Sequence, residues 1–215
     1  DSLSGFASGT ITTVRGSGYY VVPGKACSPR IDPAVPPHRW ELDPAGAALL
    51  DELAGLECFA GAYRVVSSTE PKAVGTAAAI VKRHSLPAVE PMDALGEVHK
   101  TGFVDDHDGV MVRLFREPDR AAAPGWETAA AALKRFGSCL DQLMSEADGR
   151  DLIVAAHATV LSLWLAALNG QGWVNPADWR AVGMPDLAVV DAAARRVVHP
   201  FGAWRTQTVS RRASL

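Results

Sequence analysis

The apolar positions of this chain switch between two periods. Short β-branched or continuous apolar runs, which suit strands, alternate with stretches of 3.6-residue period, which suit helices. Tyr19–Val22 reads as a strand closed by Pro23-Gly24. Residues 23–44 are proline-rich and have no helical period, which predicts a long ordered loop, and such loops in compact domains are often functional. Asp43 and Pro44 then suit the N-cap and first turn of a helix running through Leu56. Tyr63–Val66 is a predicted strand leaving through Ser67-Ser68-Thr69, and an Ala-rich helix follows over Pro71–His84. Ala88-Val89 is a weak strand. Pro124–Thr128 leads into a helix to Glu146, with Ala132, Leu133, Phe136, Leu140 and Leu143 at helical spacing. Asp151–Ala155 is a strongly apolar strand followed by a helix over Thr159–Leu168, and Leu187–Val190 and Arg195–His199 are late strands. Alternation of this kind predicts an α/β fold: a three-layer sandwich, with a mostly parallel central sheet and helices on both faces. We divide the chain into an N-terminal arm (1–18), the α/β domain (19–200) and a C-terminal tail (201–215).

Composition narrows the function classes. The 215 residues are 48% apolar, enough for a sizeable core, and the formal net charge is −3 from 21 basic and 24 acidic residues without a long run of one sign. That balance gives no electrostatic footprint for nucleic acid or an anionic membrane. Leu152–Leu168, the longest apolar stretch, is interrupted by His157, Thr159 and Ser162 and is too short for a membrane span. Cys27, Cys58 and Cys139 are widely spaced and odd in number, so neither a disulfide framework nor a zinc pattern follows from them. Residues 1–17 have no positive segment followed by an apolar one, and a cytoplasmic protein is expected.

In a sheet of this kind the ligand sits beyond the carboxyl ends of the strands, which directs attention to three exits. Ile153–Leu161 is a buried strand that ends in His157 and turns at once into a helix, so an imidazole lies beside the free N–H groups of a helix start, where an anion is stabilised. A core histidine capping the strand fits the spacing equally well. Ser67, Ser68 and Lys72 lie at a strand-to-helix turn, where hydroxyls and a mobile positive charge suit phosphate, although hydroxyls at turns usually cap. Glu97, in Leu95-Gly96-Glu97-Val98, is a general acid if burial raises its pKa and otherwise a solvated surface residue.

Four segments in order, SSTEPKAVGTA at 67–77, LGEV at 95–98, WETA at 126–129 and AAHATVLSL at 155–163, resemble the motifs of the histidine phosphatase (phosphoglycerate mutase-like) superfamily. The resemblance spans about residues 19–191. It implies that His157 is the second catalytic histidine, touching the transferring phosphoryl group, and that Glu97 is the proton donor and acceptor. It also implies that Lys72 stands where many members have a phosphate-binding arginine, which keeps the charge but loses the bidentate fork. Thr159 adds a hydroxyl or a cap.

The first motif of that family is missing. Its Arg-His-Gly follows the first strand, but this chain reads Val22-Pro23-Gly24-Lys25-Ala26-Cys27-Ser28-Pro29-Arg30 and has no histidine among residues 1–37. Lys25 and Arg30 are candidate replacements for the lost positive charge. Without an evident nucleophile, the sequence reads as a repurposed enzyme in which Glu97 and His157 perform proton transfer on a small anionic or carbonyl-bearing metabolite, such as dehydration, isomerisation or cyclisation. Two alternatives stand beside it: a ligand- or partner-binding protein without catalysis, and a phosphatase with an unusual nucleophile such as His38. No cofactor or metal is expected. The cluster of His99, Asp105, Asp106, His107 and Asp108 reads as a solvated acidic turn rather than a metal site, and Trp126, Trp164, Trp173, Trp179 and Trp204 as core or interface residues. The expected partner is a small molecule, with a homodimer possible.

Overall fold

The computed structural model describes residues 11–12, 18–23, 35–102, 104–205 and 209–210, with side chains from 35 to 204 apart from 103. In chain order its strands are β1 Ile11–Thr12, β2 Gly18–Pro23, β3 Arg64–Ser67, β4 Glu90–Pro91, β5 Leu152–Ala156, β6 Ala188–Asp191, β7 Arg196–His199 and β8 Val209–Ser210. The α-helices are α1 Ala47–Ala54, α2 Pro71–His84, α3 His107–Arg116, α4 Ala129–Ala147, α5 Ala158–Leu168 and α6 Pro176–Ala181. Six strands form one sheet in the order β4-β3-β5-β2-β6-β7, while β1 and β8 pair in parallel with each other. The four strands from β4 to β2 run parallel, and β6 and β7 add an antiparallel edge.

The apolar run of β5 is explained by its place in the middle of the sheet. All five residues are buried, and alternate side chains serve opposite faces. Leu152, Val154 and Ala156 pack with Met111 and Leu114 of α3, Phe136 and Leu140 of α4, and Leu161 and Trp164 of α5. Ile153 and Ala155 pack with Leu53 of α1, Phe59, and Ala77 and Ile80 of α2. The chain is therefore an α/β three-layer sandwich. Among the described residues no helix is long and apolar enough to cross a membrane.

The departures from the sequence pattern have local causes. Asp43 does accept a hydrogen bond from Ala45 N–H at 2.9 Å, but Pro44–Gly46 forms a 3₁₀ turn before the α-helix begins at Ala47. The weak strand expected at 88–89 lies two residues later, where Glu90 pairs opposite Val66. The acidic turn around 105–108 is the start of α3: Asp106 caps it by accepting Gly109 N–H at 2.8 Å, and Val110, Met111, Leu114 and Phe115 bury its inner face. The short α6, opened by Asn175 and Pro176, also escaped the pattern because six residues are too few to display a period.

Candidate active site

Pairing in the sheet brings three strand exits to one edge. Pro23 lies opposite Ala156, and Ser67 opposite Ala155. Beyond the paired residues, Ser68 N–H donates to Ala155 O at 3.0 Å and Met92 N–H to Ser67 O at 2.7 Å. Ser68, His157 and the segment after β4 are thus fixed side by side. His157 is the N-cap residue of α5 and is only 2% exposed, and its side chain makes no capping bond, so the ring is turned into the site.

Glu70, which the sequence did not single out, is the hub of the arrangement. It stands at the N-cap of α2 yet forms no side-chain cap to that helix. Its Oε1 lies 3.1 Å from His157 Nε2 and accepts Glu97 N–H at 3.2 Å, while Oε2 accepts from Lys72 Nζ. Ser68 Oγ lies 2.6 Å from the same histidine nitrogen and accepts Glu70 N–H at 3.3 Å. The hydrogen bond of this nitrogen is the one to Ser68 Oγ, and the Glu70 carboxylate lies beside it. The Glu70 carboxylate therefore accepts from an ammonium and a backbone N–H and lies against an imidazole nitrogen. Lys72 Nζ also donates to Pro37 O at 3.0 Å, which ties the turn Pro37–Arg39 to this group. Burial pushes the His157 pKa below its ordinary value, against the opposing pull of the Glu70 and Glu97 charges.

Glu97 occupies the start of α5. Its Oε2 accepts Thr159 N–H at 3.2 Å, and its Oε1 accepts Val160 N–H at 3.2 Å and Val98 N–H at 3.0 Å. Burial would raise its pKa, but the nearby Lys100 and His157 charges and the hydrogen bonds from Val98 and Thr159 outweigh it and hold the pKa down at about 2. The raised pKa on which a general-acid reading of Glu97 depended is absent: a carboxylate facing helix N–H groups is kept ionised. Its segment is held by Arg135 of α4, which donates to Ala94 O at 2.9 Å, Gly96 O at 3.1 Å and Glu97 O at 3.2 Å and forks onto Glu127 at 3.1 and 2.7 Å.

Glu70, Lys72, Glu97, His157 and Thr159 line one pocket of about 1260 Å³, and His38 lies on its wall. Of the residues proposed from sequence, Ser68, Lys72, Glu97, His157 and Thr159 come together. Ser67 does not join them; it is fully buried and its hydroxyl donates to Ser68 O at 2.9 Å. Lys25 and Arg30 lie outside the described residues. The rest of the lining mixes aromatic and apolar residues, Trp40, Trp126, Trp179, His107, Val104 and Met184, with the polar side chains of Arg39, Thr69, Asp93, His99, Lys100 and Arg135. Trp126 and Trp179 had been read as core or interface. They do contribute to the core, and they also face the pocket, whereas Trp173 is 55% exposed and lines nothing described. Among the described residues no group of three or more His, Cys, Asp or Glu side chains is arranged to hold a metal ion.

Several solved structures share this architecture. The mycobacterial glucosyl-3-phosphoglycerate phosphatase is 16% identical with a TM-score of 0.63, the match covering 90% of this chain and 99% of that one. The phosphoglycerate mutase of Bacillus anthracis is 15% identical with a TM-score of 0.64, over 87% of this chain and 94% of that one. The alpha-ribazole phosphatase of Shigella flexneri is 15% identical with a TM-score of 0.64, over 92% and 98% respectively. These likenesses establish the fold. No curated protein sequence matches. Residues 41–196, well over half of the chain, match the sequence profile of one family. The chain belongs to the histidine phosphatase superfamily, branch 1.

Proposed function

We propose that the protein hydrolyses a small phosphate monoester, with the phosphoryl group bound in the seat that Glu70 fills here. The observation that carries this reading is the set of groups around the Glu70 carboxylate: the donors Lys72 Nζ and Glu97 N–H at 3.2 Å, and His157 Nε2 at 3.1 Å. A carboxylate and a phosphoryl group ask for the same donors, and phosphate brings more charge and one more oxygen. On substrate binding, Glu70 swings out, Lys72 neutralises the dianion, and His157 donates to a phosphoryl oxygen whose charge grows in the transition state. A nitrogen of His38 attacks phosphorus as the ester P–O bond breaks and solvent protonates the leaving alkoxide; water then attacks the phosphohistidine and gives its proton to the ionised Glu97 at the start of α5, which returns it to solvent.

This replaces the non-phosphoryl chemistry expected from the sequence. Dehydration, isomerisation or cyclisation was inferred from the missing Arg-His-Gly motif. The family match over 41–196, together with neighbours of the same fold that are phosphatases and a mutase, directs the reading to phosphoryl chemistry instead. The phosphoryl acceptor we assign within this proposal is His38, which lines the same pocket on the turn whose Pro37 carbonyl is bonded to Lys72. A cytoplasmic setting belongs to the same proposal, supported by the free thiol of Cys139.

The test is release of inorganic phosphate from a panel of phosphate monoesters by the full chain, with rapid quenching and mass spectrometry of peptides spanning His38. Turnover with phosphate transiently on His38 is expected. No phosphate release from any ester would overturn the function, and turnover that is equal in His38→Asn would overturn the acceptor.

A further inference from the structure

We propose that the ester carries a large, apolar, preferably aromatic body, and is not a compact polyol phosphate. The inference rests on the phosphatase reading and goes on to specify its substrate class.

The phosphoryl seat is a small part of the pocket: Glu70, Lys72, His157 and Glu97 are mutual neighbours, whereas the whole space is about 1260 Å³. Sites for drug-sized ligands are typically some 300–1,000 Å³, so a three-carbon phosphate would leave most of this volume to water. What surrounds that volume decides the chemistry of its occupant. Trp40, Val104, His107, Trp126, Trp179 and Met184 supply its aromatic and apolar part, and three of these rings are already grouped: the His107 ring centre is 6.2 Å from that of Trp126 and 6.1 Å from that of Trp179. A sugar or glycerate body displays hydroxyls that need partners, and rings and methylenes provide few. An aromatic body finds faces and edges to pack on.

Of the charged groups on this wall, Arg135 is committed to Glu127 and to three carbonyls, Lys100 Nζ lies 4.9 Å from the centre of the Trp126 ring, and Arg39 also lines the space. A second observation separates the wall from ordinary core. Trp126 Nε1 and Trp179 Nε1 are buried and have no hydrogen-bond partner among the described residues. A core selected for stability alone avoids unpaired indole donors, each costing on the order of 1–3 kcal/mol. Two of them on one pocket wall are what is expected where ring surface facing a ligand has been kept.

The experiment compares esters with the same kind of leaving group, because aryl phosphates react faster with many phosphatases for reasons unrelated to fit. The pair is 2-(2-naphthyl)ethyl phosphate and glycerol 1-phosphate, assayed for kcat/KM with the full chain. In parallel, 2-(2-naphthyl)ethylphosphonate and methylphosphonate are titrated by tryptophan fluorescence. The naphthyl compound is expected to lead by at least about 30-fold in both, within the range by which apolar pockets discriminate. Trp179→Ala, and Met184→Ala should the first variant fail to fold, should shrink that ratio at least fivefold. Turnover of both esters with a ratio near one, or in favour of the polyol, overturns this inference and leaves the phosphatase reading intact. Tight binding of the naphthyl phosphonate without turnover of either ester supports the inference and overturns hydrolysis. Neither binding nor turnover overturns both.

Discussion

Two carboxylates in this molecule, the buried Asp186 and the half-buried Glu70, solve the same electrostatic problem in opposite ways. Asp186, 1% exposed at the entry to β6, accepts Gly183 N–H at 2.6 Å, Leu187 N–H at 2.8 Å, Gly202 N–H at 2.7 Å and Trp204 Nε1–H at 3.1 Å. Its partners are backbone and indole groups that hold no net charge and have nowhere to go. Glu70 is held by an ammonium, an imidazole and one backbone N–H, two of them on side chains that can turn, and it faces an open pocket. Asp186 is a clamp joining β6 to the segment around Gly202, while Glu70 is a placeholder. The lesson is that burial of an acid does not by itself mark a site. What distinguishes the two is whether the donors are fixed and neutral or mobile and titratable.

The largest effect that would break this contrast is at Asp186. Asp186→Ala leaves four donors without their acceptor, and a loss of at least about 3 kcal/mol in unfolding free energy is expected, with kcat/KM of the surviving folded protein close to wild type. Denaturant titration and steady-state kinetics check this, and a stable Asp186→Ala protein would remove the clamp from the account. At Glu70 the sign of the expected effect is the reverse. Glu70→Ala frees Lys72 and His157, so inorganic phosphate should bind about tenfold tighter by calorimetry, the internal competitor being gone. Weaker phosphate binding in Glu70→Ala would mean that Glu70 organises the seat rather than occupying it.

The pH dependence of stability sharpens the same comparison by a smaller amount. Burial lowers the His157 pKa in the folded state, so the unfolded chain takes up that proton first as the pH falls. Stability should therefore decline below about pH 6.5, by at most about 1.4 kcal/mol per pH unit, and the slope should flatten in His157→Asn. The Glu97 pKa is depressed from 4.5 to about 2, so the stability it contributes is present above pH 4.5 and is lost as the pH falls towards 2. Thermal melts from pH 7 to pH 3 measure both, and a wild-type profile that is flat down to pH 5 would contradict the assignment of a neutral His157.

How much of this was legible beforehand depended on whether each signal was local. The run at 152–156, the Pro-initiated α2 and the apolar stripe of α4 announce themselves through period and caps, and they were enough to place the sheet and the helical layers. His157, Ser68, Lys72 and Glu97 were found because they follow strands or lie in family-like motifs. Glu70 was missed because an acid beside a helix start is ordinarily a partner of that helix, and only the fold reveals that its side chain leaves α2 for His157. Arg135 was missed for a related reason: nothing in α4 indicates that an arginine on it will hold the carbonyls of 94, 96 and 97. The aromatic wall is drawn from segments as distant as Trp40 and Trp179, which no window along the chain places together.

The central claim is that His157 handles a phosphoryl group in the seat now held by Glu70. It is tested most directly by measuring inorganic phosphate released from the preferred ester by wild type and by His157→Asn, with matched thermal melts. The account predicts that the variant remains folded and loses at least about 100-fold in kcat/KM. Equal rates of phosphate release by the two folded proteins would contradict it.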